Sequence, residues 1–122
     1  LIYYRNHLNK KKLFPIDFLK EISKSGLKIQ VFGDRLNIKN ISNLGKINNK
    51  KVNELLSKTK YTIISSENIY SLFLTECISN HVKILIDNNS TYQINYFKKS
   101  FIKFNFSNQL NQKNLKKLLI NF

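Results

Sequence analysis

Segments with apolar residues at strand spacing alternate with segments at helical spacing along this chain of 122 residues. The stretch from Tyr61 to Asp87 has the pattern of a strand, a polar turn, an amphipathic helix and a second strand. Short runs of β-branched and aromatic residues predict further strands at 1–5, 28–32, 40–45 and 101–104. Apolar residues at helical spacing predict further helices between Pro15 and Gly26, within 50–58 and at 115–122. The polar residues 88–99 predict a loop.

Strands and helices that alternate at these lengths predict an α/β fold, a Rossmann-like parallel sheet with helices on both faces. The whole chain, 1–122, has the size of a single domain. Right-handed crossovers place the strand-to-helix turns at the carboxyl edge of such a sheet, where ligands bind. The turns after Tyr4, Phe32, Ile64 and Ile86 are therefore predicted neighbours. Three of the four are polar, so we expect the functional site there.

The formal net charge of +14 suits three classes of partner: nucleic acid, an anionic membrane surface or an anionic substrate. Most of the excess is lysine, scattered through predicted loops and helix faces. Lysine is accompanied by abundant asparagine and isoleucine, and all three have A/T-rich codons. A codon-biased, solvated surface is therefore the simpler interpretation, and a nucleic-acid partner is disfavoured. The chain contains no methionine, so we expect it to be part of a longer protein.

The one cysteine, Cys77, excludes an internal disulfide and fits a reducing compartment such as the cytoplasm. Its apolar neighbours favour a small core side chain over a nucleophile. No apolar run approaches the ~20 residues that a membrane helix needs. Glycine-rich phosphate motifs and paired cysteines are absent from the sequence, and the two histidines are far apart. We therefore expect neither a metal nor a cofactor.

A polar turn formed by Ser65, Ser66, Glu67 and Asn68 precedes the helix that carries Glu76. The N-terminus of a helix can hold an anion such as phosphate, but a serine N-cap with an acidic neighbour explains the same residues without a ligand. Glu76 lies in an otherwise apolar helix, and an ionised carboxylate must reach water, a cation or a hydroxyl-bearing ligand. A solvated glutamate is the equally simple alternative.

Arg5 ends the first predicted strand, and three lysines follow in the next loop: Lys10, Lys11 and Lys12. The fork of donors on an arginine suits a phosphate group, and nearby lysines add positive charge. We take Arg5 and Lys11 as candidate ligands of a phosphate. An ordinary exposed basic loop is the alternative, and it explains the lysines better than it explains Arg5.

The order of short motifs within residues 40–87 carries more information than any one of them. A strand ending in Leu-Gly precedes a helix with V-x-x-L-L spacing, and the next strand ends in a pair of small residues before an acidic loop and a helix with a late glutamate. This order resembles the C-terminal, donor-binding half of GT-B glycosyltransferases, especially the group 1 (retaining, family 4-like) enzymes. The strands at 1–5 and 28–32 resemble the first two strands of that family more loosely.

The resemblance implies a role for each matching residue. Glu76 corresponds to the second glutamate of the family's E-x7-E motif, which hydrogen-bonds the ribose of the nucleotide. Asn68 corresponds to the first, which lies by the transferred sugar, and Glu67 is one position early. Ser65 and Ser66 correspond to the pair of small residues before the motif.

Arg5 resembles the arginine that contacts the donor diphosphate in that family, and one of Lys10, Lys11 and Lys12 corresponds to its lysine partner, with Lys11 taken as the candidate. Two departures concern the donor geometry and the retaining mechanism rather than the fold. The family's Gly-x-Pro after the motif helix corresponds to His81-Val82-Lys83, and its glycine-rich turn is NIYS here.

The resemblance implies a nucleotide-diphosphate sugar donor, a polysaccharide or glycolipid acceptor and an N-terminal domain outside this chain, without which the fragment is inactive. It also implies a cytoplasmic protein, with a basic surface able to dock peripherally on anionic lipid at the inner membrane face. Two alternatives stay open. One is a small basic α/β module that binds RNA or a protein partner without catalysis, and the other is a degenerate glycosyltransferase domain kept for assembly.

Overall fold

The computed structural model describes residues 1–6, 14–64, 72–87 and 99–104, and this part of the chain is an α/β protein. It contains six strands: β1 (Ile2–Tyr4), β2 (Ile29–Gly33), β3 (Ile41–Gly45), β4 (Tyr61–Ile63), β5 (Lys83–Asp87) and β6 (Phe101–Phe104). It contains three helices: α1 (Ile16–Ser23), α2 (Asn49–Leu56) and α3 (Leu72–Ser79). The predicted fold class is confirmed. The helix predicted at 115–122 and most of the loop predicted at 88–99 lie outside the described residues.

The strands form two parallel sheets of three, where the sequence predicted one sheet. The first has the order β1-β2-β3 and the second the order β4-β5-β6, with parallel pairing throughout. The two sheets approach each other at the starts of their edge strands β1 and β4, where the backbone nitrogen of Leu1 donates to the carbonyl oxygen of Tyr61 over 3.5 Å. No β1–β4 ladder joins the two sheets in the described part of the chain.

Helices cover both faces of the β-layer. Ile2 and Tyr4 of β1 belong to the hydrophobic cluster that α1 covers, whereas Leu1 and Tyr3 belong to the cluster that α2 and α3 cover. This division follows from the alternation of side chains along a strand. The cluster beneath α1 also contains Ile63 of β4, so the two sheets share one core. Burial on both faces is typical of parallel sheets and explains why the strands read as nearly continuous apolar runs.

Residues 34–40 connect β2 to β3 without a helix. Leu36 in this connection is buried in the cluster beneath α1, where a helix would otherwise lie. The side-chain amide of Asn43 on β3 holds it there, because Oδ1 accepts from the backbone nitrogen of Leu36 and Nδ2 donates to its carbonyl oxygen, both over 2.9 Å. Asn43 therefore fixes the backbone of the crossover at Leu36.

The end of α3 is a Schellman motif, with His81 in the left-handed conformation (φ +59°). The backbone nitrogen of Val82 donates to the carbonyl oxygen of Cys77 over 2.9 Å, and that of His81 donates to Ile78 over 3.1 Å. Glycine is the usual residue at this position because it has no Cβ to oppose a positive φ. The left-handed backbone conformation of His81 therefore ends the helix.

We expect His81→Gly to increase the free energy of unfolding by about 0.5 kcal/mol, because glycine adopts the left-handed conformation without strain. Urea denaturation measures this as a higher midpoint with an unchanged slope. His81→Ala is the matched control, since alanine keeps the Cβ and gives no such gain. A glycine variant no more stable than the wild type would contradict the prediction.

Candidate functional site

The carboxyl ends of β1 and β2 lie side by side and are joined by Asp34. Its backbone nitrogen donates to the carbonyl oxygen of Tyr4 over 2.9 Å. Its carboxylate Oδ2 accepts from the backbone nitrogen of Asn6 over 2.7 Å. The residue after β2 therefore fixes the start of the loop that follows β1.

Gly33 makes this close approach possible. Its φ is +94°, and a Cβ at this position would lie 2.5 Å from the carbonyl oxygen of Tyr4. Any other residue would collide with the backbone of β1 and adopt a strained conformation. Glycine is thus required for Asp34 to reach the end of β1.

Arg5 lies at the carboxyl edge, as the sequence predicted, and within the described residues its guanidinium contacts Tyr3 and Asp34. Nη1 donates to the hydroxyl oxygen of Tyr3 over 3.1 Å, and Nε lies 3.7 Å from Oδ2 of Asp34. The hydrogen bond to Tyr3 is the main cause that raises the pKa of Arg5, so this side chain is a permanent cation. The side chains of Arg5 and Asp34 are 43% and 40% exposed, and an ion pair at such a surface contributes only about 0–1 kcal/mol. An anionic ligand can therefore reach the guanidinium and compete with Asp34.

Tyr3 connects Arg5 to helix α3. Its ring centroid lies 5.0 Å from that of Phe32 and 5.9 Å from that of Phe73, and the Phe32 and Phe73 rings are 5.2 Å apart. Arg5 follows Tyr3 by two positions, so both side chains leave the chain on the face that α3 covers. The aromatic cluster of Tyr3, Phe32 and Phe73 therefore fixes the first turn of α3 against the carboxyl edge near Arg5.

Glu76 lies on α3 at the border between its buried and exposed sides. Phe73, Leu74 and Cys77 face the core, while Leu72 is 65% exposed. The side chain of Glu76 is half-buried. Among the residues that the structure describes, its carboxylate has no hydrogen bond or ion pair. That placement lets the carboxylate accept hydrogen bonds from water or from the hydroxyl groups of a ligand.

The other predicted site residues are Lys11, Ser65, Ser66, Glu67 and Asn68, and all of them lie outside the described residues. Their roles therefore stay predictions.

Asp34 is the residue that sequence analysis missed. The strand predicted at 28–32 ends two positions before it, and it was given no role from the sequence. The signal that could have identified it is its position, because it closely follows a strand predicted to end at the same sheet edge as Arg5. A carboxylate there is a natural partner for the arginine.

Cys77 is a core side chain, as predicted, with 0% exposure. Burial raises the pKa of its thiol to about 12, so it has no nucleophilic character near neutral pH. In the described ranges, no group of three or more His, Cys, Asp and Glu side chains is arranged to hold a metal ion. The helices of this same part of the chain are all too short or too polar to cross a membrane.

Comparison with protein-family models, curated proteins and solved structures gave no match for this chain.

The pKa of Cys77 makes stability depend on alkaline pH. Its folded pKa of about 12 lies above the ordinary value of 9.0, so unfolding releases a proton between these values. The stabilisation is complete below pH 9 and is lost as the pH rises towards 12. We expect the wild type to lose about 1 kcal/mol between pH 8 and pH 10 relative to Cys77→Ala, measured by urea denaturation.

The same burial predicts that iodoacetamide modifies the thiol only when the protein unfolds. Mass spectrometry after parallel treatment with and without urea measures this. Rapid modification of the native protein at pH 8, or equal pH dependence in wild type and Cys77→Ala, would contradict the burial of Cys77.

Proposed function

We propose that this chain is the C-terminal, donor-binding domain of a GT-B glycosyltransferase. In this proposal it binds a nucleotide-diphosphate sugar for transfer to a polysaccharide or glycolipid acceptor. The observation that carries the proposal is the linkage of Arg5 to α3 through Tyr3, with 3.1 Å from guanidinium to hydroxyl and 5.9 Å between the Tyr3 and Phe73 rings. The residue assigned to the diphosphate and the helix assigned to the ribose thus meet at one sheet edge.

Two backbone conformations support the resemblance independently of any side chain. The family's strand motif ends in glycine, and here Gly45 ends β3 with φ +71°. The family has glycine after the motif helix, and the corresponding His81 adopts φ +59°. Positive φ is uncommon outside glycine, so its occurrence at His81, a position that the family fills with glycine, favours a shared local geometry there.

In the proposed complex, Arg5 and Lys11 pair with the diphosphate, and the turn of Ser65 and Ser66 presents backbone N–H groups to it. Glu76 accepts hydrogen bonds from the ribose hydroxyls. Catalysis then comes from positioning and from stabilising the leaving diphosphate by cations and dipoles. These roles need no metal.

The acceptor meets the donor sugar beside Asn68 and Glu67. Asn68 can hydrogen-bond a sugar hydroxyl, but it cannot supply the carboxylate that the family has there. We propose that an N-terminal domain outside this chain binds the acceptor, so that this domain alone binds the donor without turnover. The protein acts in the cytoplasm, and its positive charge favours docking at the anionic inner face of the membrane.

We expect this domain to bind UDP-sugars or GDP-sugars more tightly than CMP-sugars, which lack a diphosphate. Glu76→Gln and Arg5→Gln should each weaken binding about tenfold, because each removes a charge-assisted hydrogen bond. Isothermal titration calorimetry of the folded variants measures the affinities. Glu54→Gln and Lys20→Gln are controls that each remove one charge, since Glu54 and Lys20 are exposed and Lys20 lies on the helix that covers the other face of the β-layer, and we expect them to bind as the wild type does.

Two results would overturn the proposal. One is equal loss of affinity in the test and control variants. The other is salt-sensitive binding of a short single-stranded RNA with no binding of any nucleotide sugar, which would favour the basic binding module instead.

Asp34 provides a second test, because its charge opposes a bound diphosphate. Asp34→Asn keeps an oxygen acceptor for the backbone nitrogen of Asn6 while removing the negative charge 3.7 Å from Arg5. We expect the variant to bind the nucleotide-diphosphate sugar several-fold more tightly, with the difference shrinking at high salt. Unchanged or weaker binding at low salt, in a variant as stable as the wild type, would show that Arg5 does not contact the diphosphate.

A further inference from the structure

The hydroxyl group of Tyr3 lies at the carboxyl edge, beside the guanidinium of Arg5. An arginine side chain carries only donors, so in the 3.1 Å hydrogen bond from Nη1 the Tyr3 oxygen is the acceptor. The hydroxyl proton is therefore not used in this contact. In the part of the chain that the structure describes, the Tyr3 hydroxyl donates to no acceptor, so its proton is directed to water or to a ligand.

Three neighbours of the Tyr3 ring fix the position of this hydroxyl. The ring centroid lies 5.0 Å from that of Phe32 and 5.9 Å from that of Phe73. The ring also lies close to Gly33, where a Cβ would be 3.1 Å from Cε2 of Tyr3 and 3.3 Å from Cδ2. A donor held in this way loses little conformational freedom when a ligand binds, so its hydrogen bond contributes to affinity.

The arrangement of Tyr3 and Arg5 suits an anion with several oxygens. A hydroxyl that accepts a hydrogen bond from a cation is polarised and becomes a stronger donor. An oxygen that accepts from the Tyr3 hydroxyl at ordinary distance lies within about 5 Å of Nη1 of Arg5. The two side chains can therefore hold different oxygens of one diphosphate. Asp34 pairs with Nε of Arg5 and leaves this side of the guanidinium to Tyr3.

We propose that the Tyr3 hydroxyl is itself a ligand of the donor diphosphate and donates a hydrogen bond to one phosphoryl oxygen, while Arg5 binds a neighbouring oxygen. This inference rests on the proposed function, because it takes the anion at Arg5 to be the diphosphate of the donor. Tyr3 then has two roles in the site. Its ring packs against α3, and its hydroxyl contacts the ligand.

Tyr3→Phe is the direct test, because it keeps the ring against Phe32 and Phe73 and removes only the hydroxyl. We expect it to weaken the binding of UDP or GDP to the full chain about fivefold, with an unchanged midpoint in urea. Isothermal titration calorimetry at physiological ionic strength measures the affinities, since salt suppresses non-specific attraction to surface lysines. Tyr61→Phe is the matched control, because it removes a hydroxyl from a tyrosine at the start of β4, and it should keep the wild-type affinity.

A double variant separates direct contact from positioning of Arg5. In Arg5→Gln the guanidinium is absent, so a hydroxyl that only positioned it would contribute nothing further. We expect Arg5→Gln combined with Tyr3→Phe to bind about threefold more weakly than Arg5→Gln alone. Equal affinity of these two variants, or wild-type affinity in Tyr3→Phe, would overturn the inference even where Arg5→Gln and Glu76→Gln weaken binding as the proposed function requires. A wild-type chain that binds neither UDP nor GDP would instead overturn the proposed function, and this inference with it.

Discussion

Burial of both faces of β1 is the constraint around which the described structure is arranged. Ile2 and Tyr4 are each 4% exposed and pack towards α1, where the Tyr4 and Phe14 rings meet edge to face at 5.2 Å. Tyr3 packs towards α3 on the other side. A strand enclosed in this way has no place for a charge along its length. Arg5 is therefore the first position on this strand where a charged side chain can lie, and that position is the sheet edge.

The two edges of the β-layer differ in how their polar groups are satisfied. At the carboxyl edge, Asp34 hydrogen-bonds the backbone of Tyr4 and of Asn6 and pairs with the guanidinium of Arg5. The site is therefore ordered before a ligand binds. At the amino edge, the buried Thr62 hydroxyl has no hydrogen-bond partner among the described residues, and the charged residues nearby are Lys28, Lys58 and Lys60. A preorganised edge favours specific recognition, because little ordering remains to be done on binding. At the other edge, the described residues instead leave the Thr62 hydroxyl unsatisfied.

Much of this fold could be predicted from the sequence, because its elements have strong local signals. The strands at 28–32 and 101–104 were placed to within one residue. Gly26 follows α1 with φ +84°, a left-handed conformation that glycine adopts readily after a helix. What could not be predicted depends on contacts between distant residues. The division into two sheets depends on how β1 meets β4, and the hydrogen bonds of Asp34 depend on a register between strands that sequence spacing does not give.

The candidate site was predictable to a similar degree. Placement of Arg5 at the sheet edge follows from strand length alone, and the burial of Cys77 follows from its apolar neighbours. Neither signal predicts the partners of Arg5. Tyr3 contacts the guanidinium from the face that α3 covers, and Asp34 reaches it only because Gly33 allows the two strand ends to lie close together. The backbone conformation of His81 was also hidden, since the sequence places an ordinary L-residue where geometry favours glycine.

The amide of Asn43 that anchors the β2–β3 crossover has a consequence for the order of folding. It helps β2 and β3 pair across a short loop, with Ile29 opposite Ile41. The contact between Leu1 and Tyr61, by contrast, joins residues sixty positions apart in the sequence. Closing the longer loop costs about 1.4 kcal/mol more in chain entropy. Early contacts are therefore favoured at the β3 side of the molecule. We expect the contact between β1 and β4 to form later, because it joins residues that are much farther apart in the sequence.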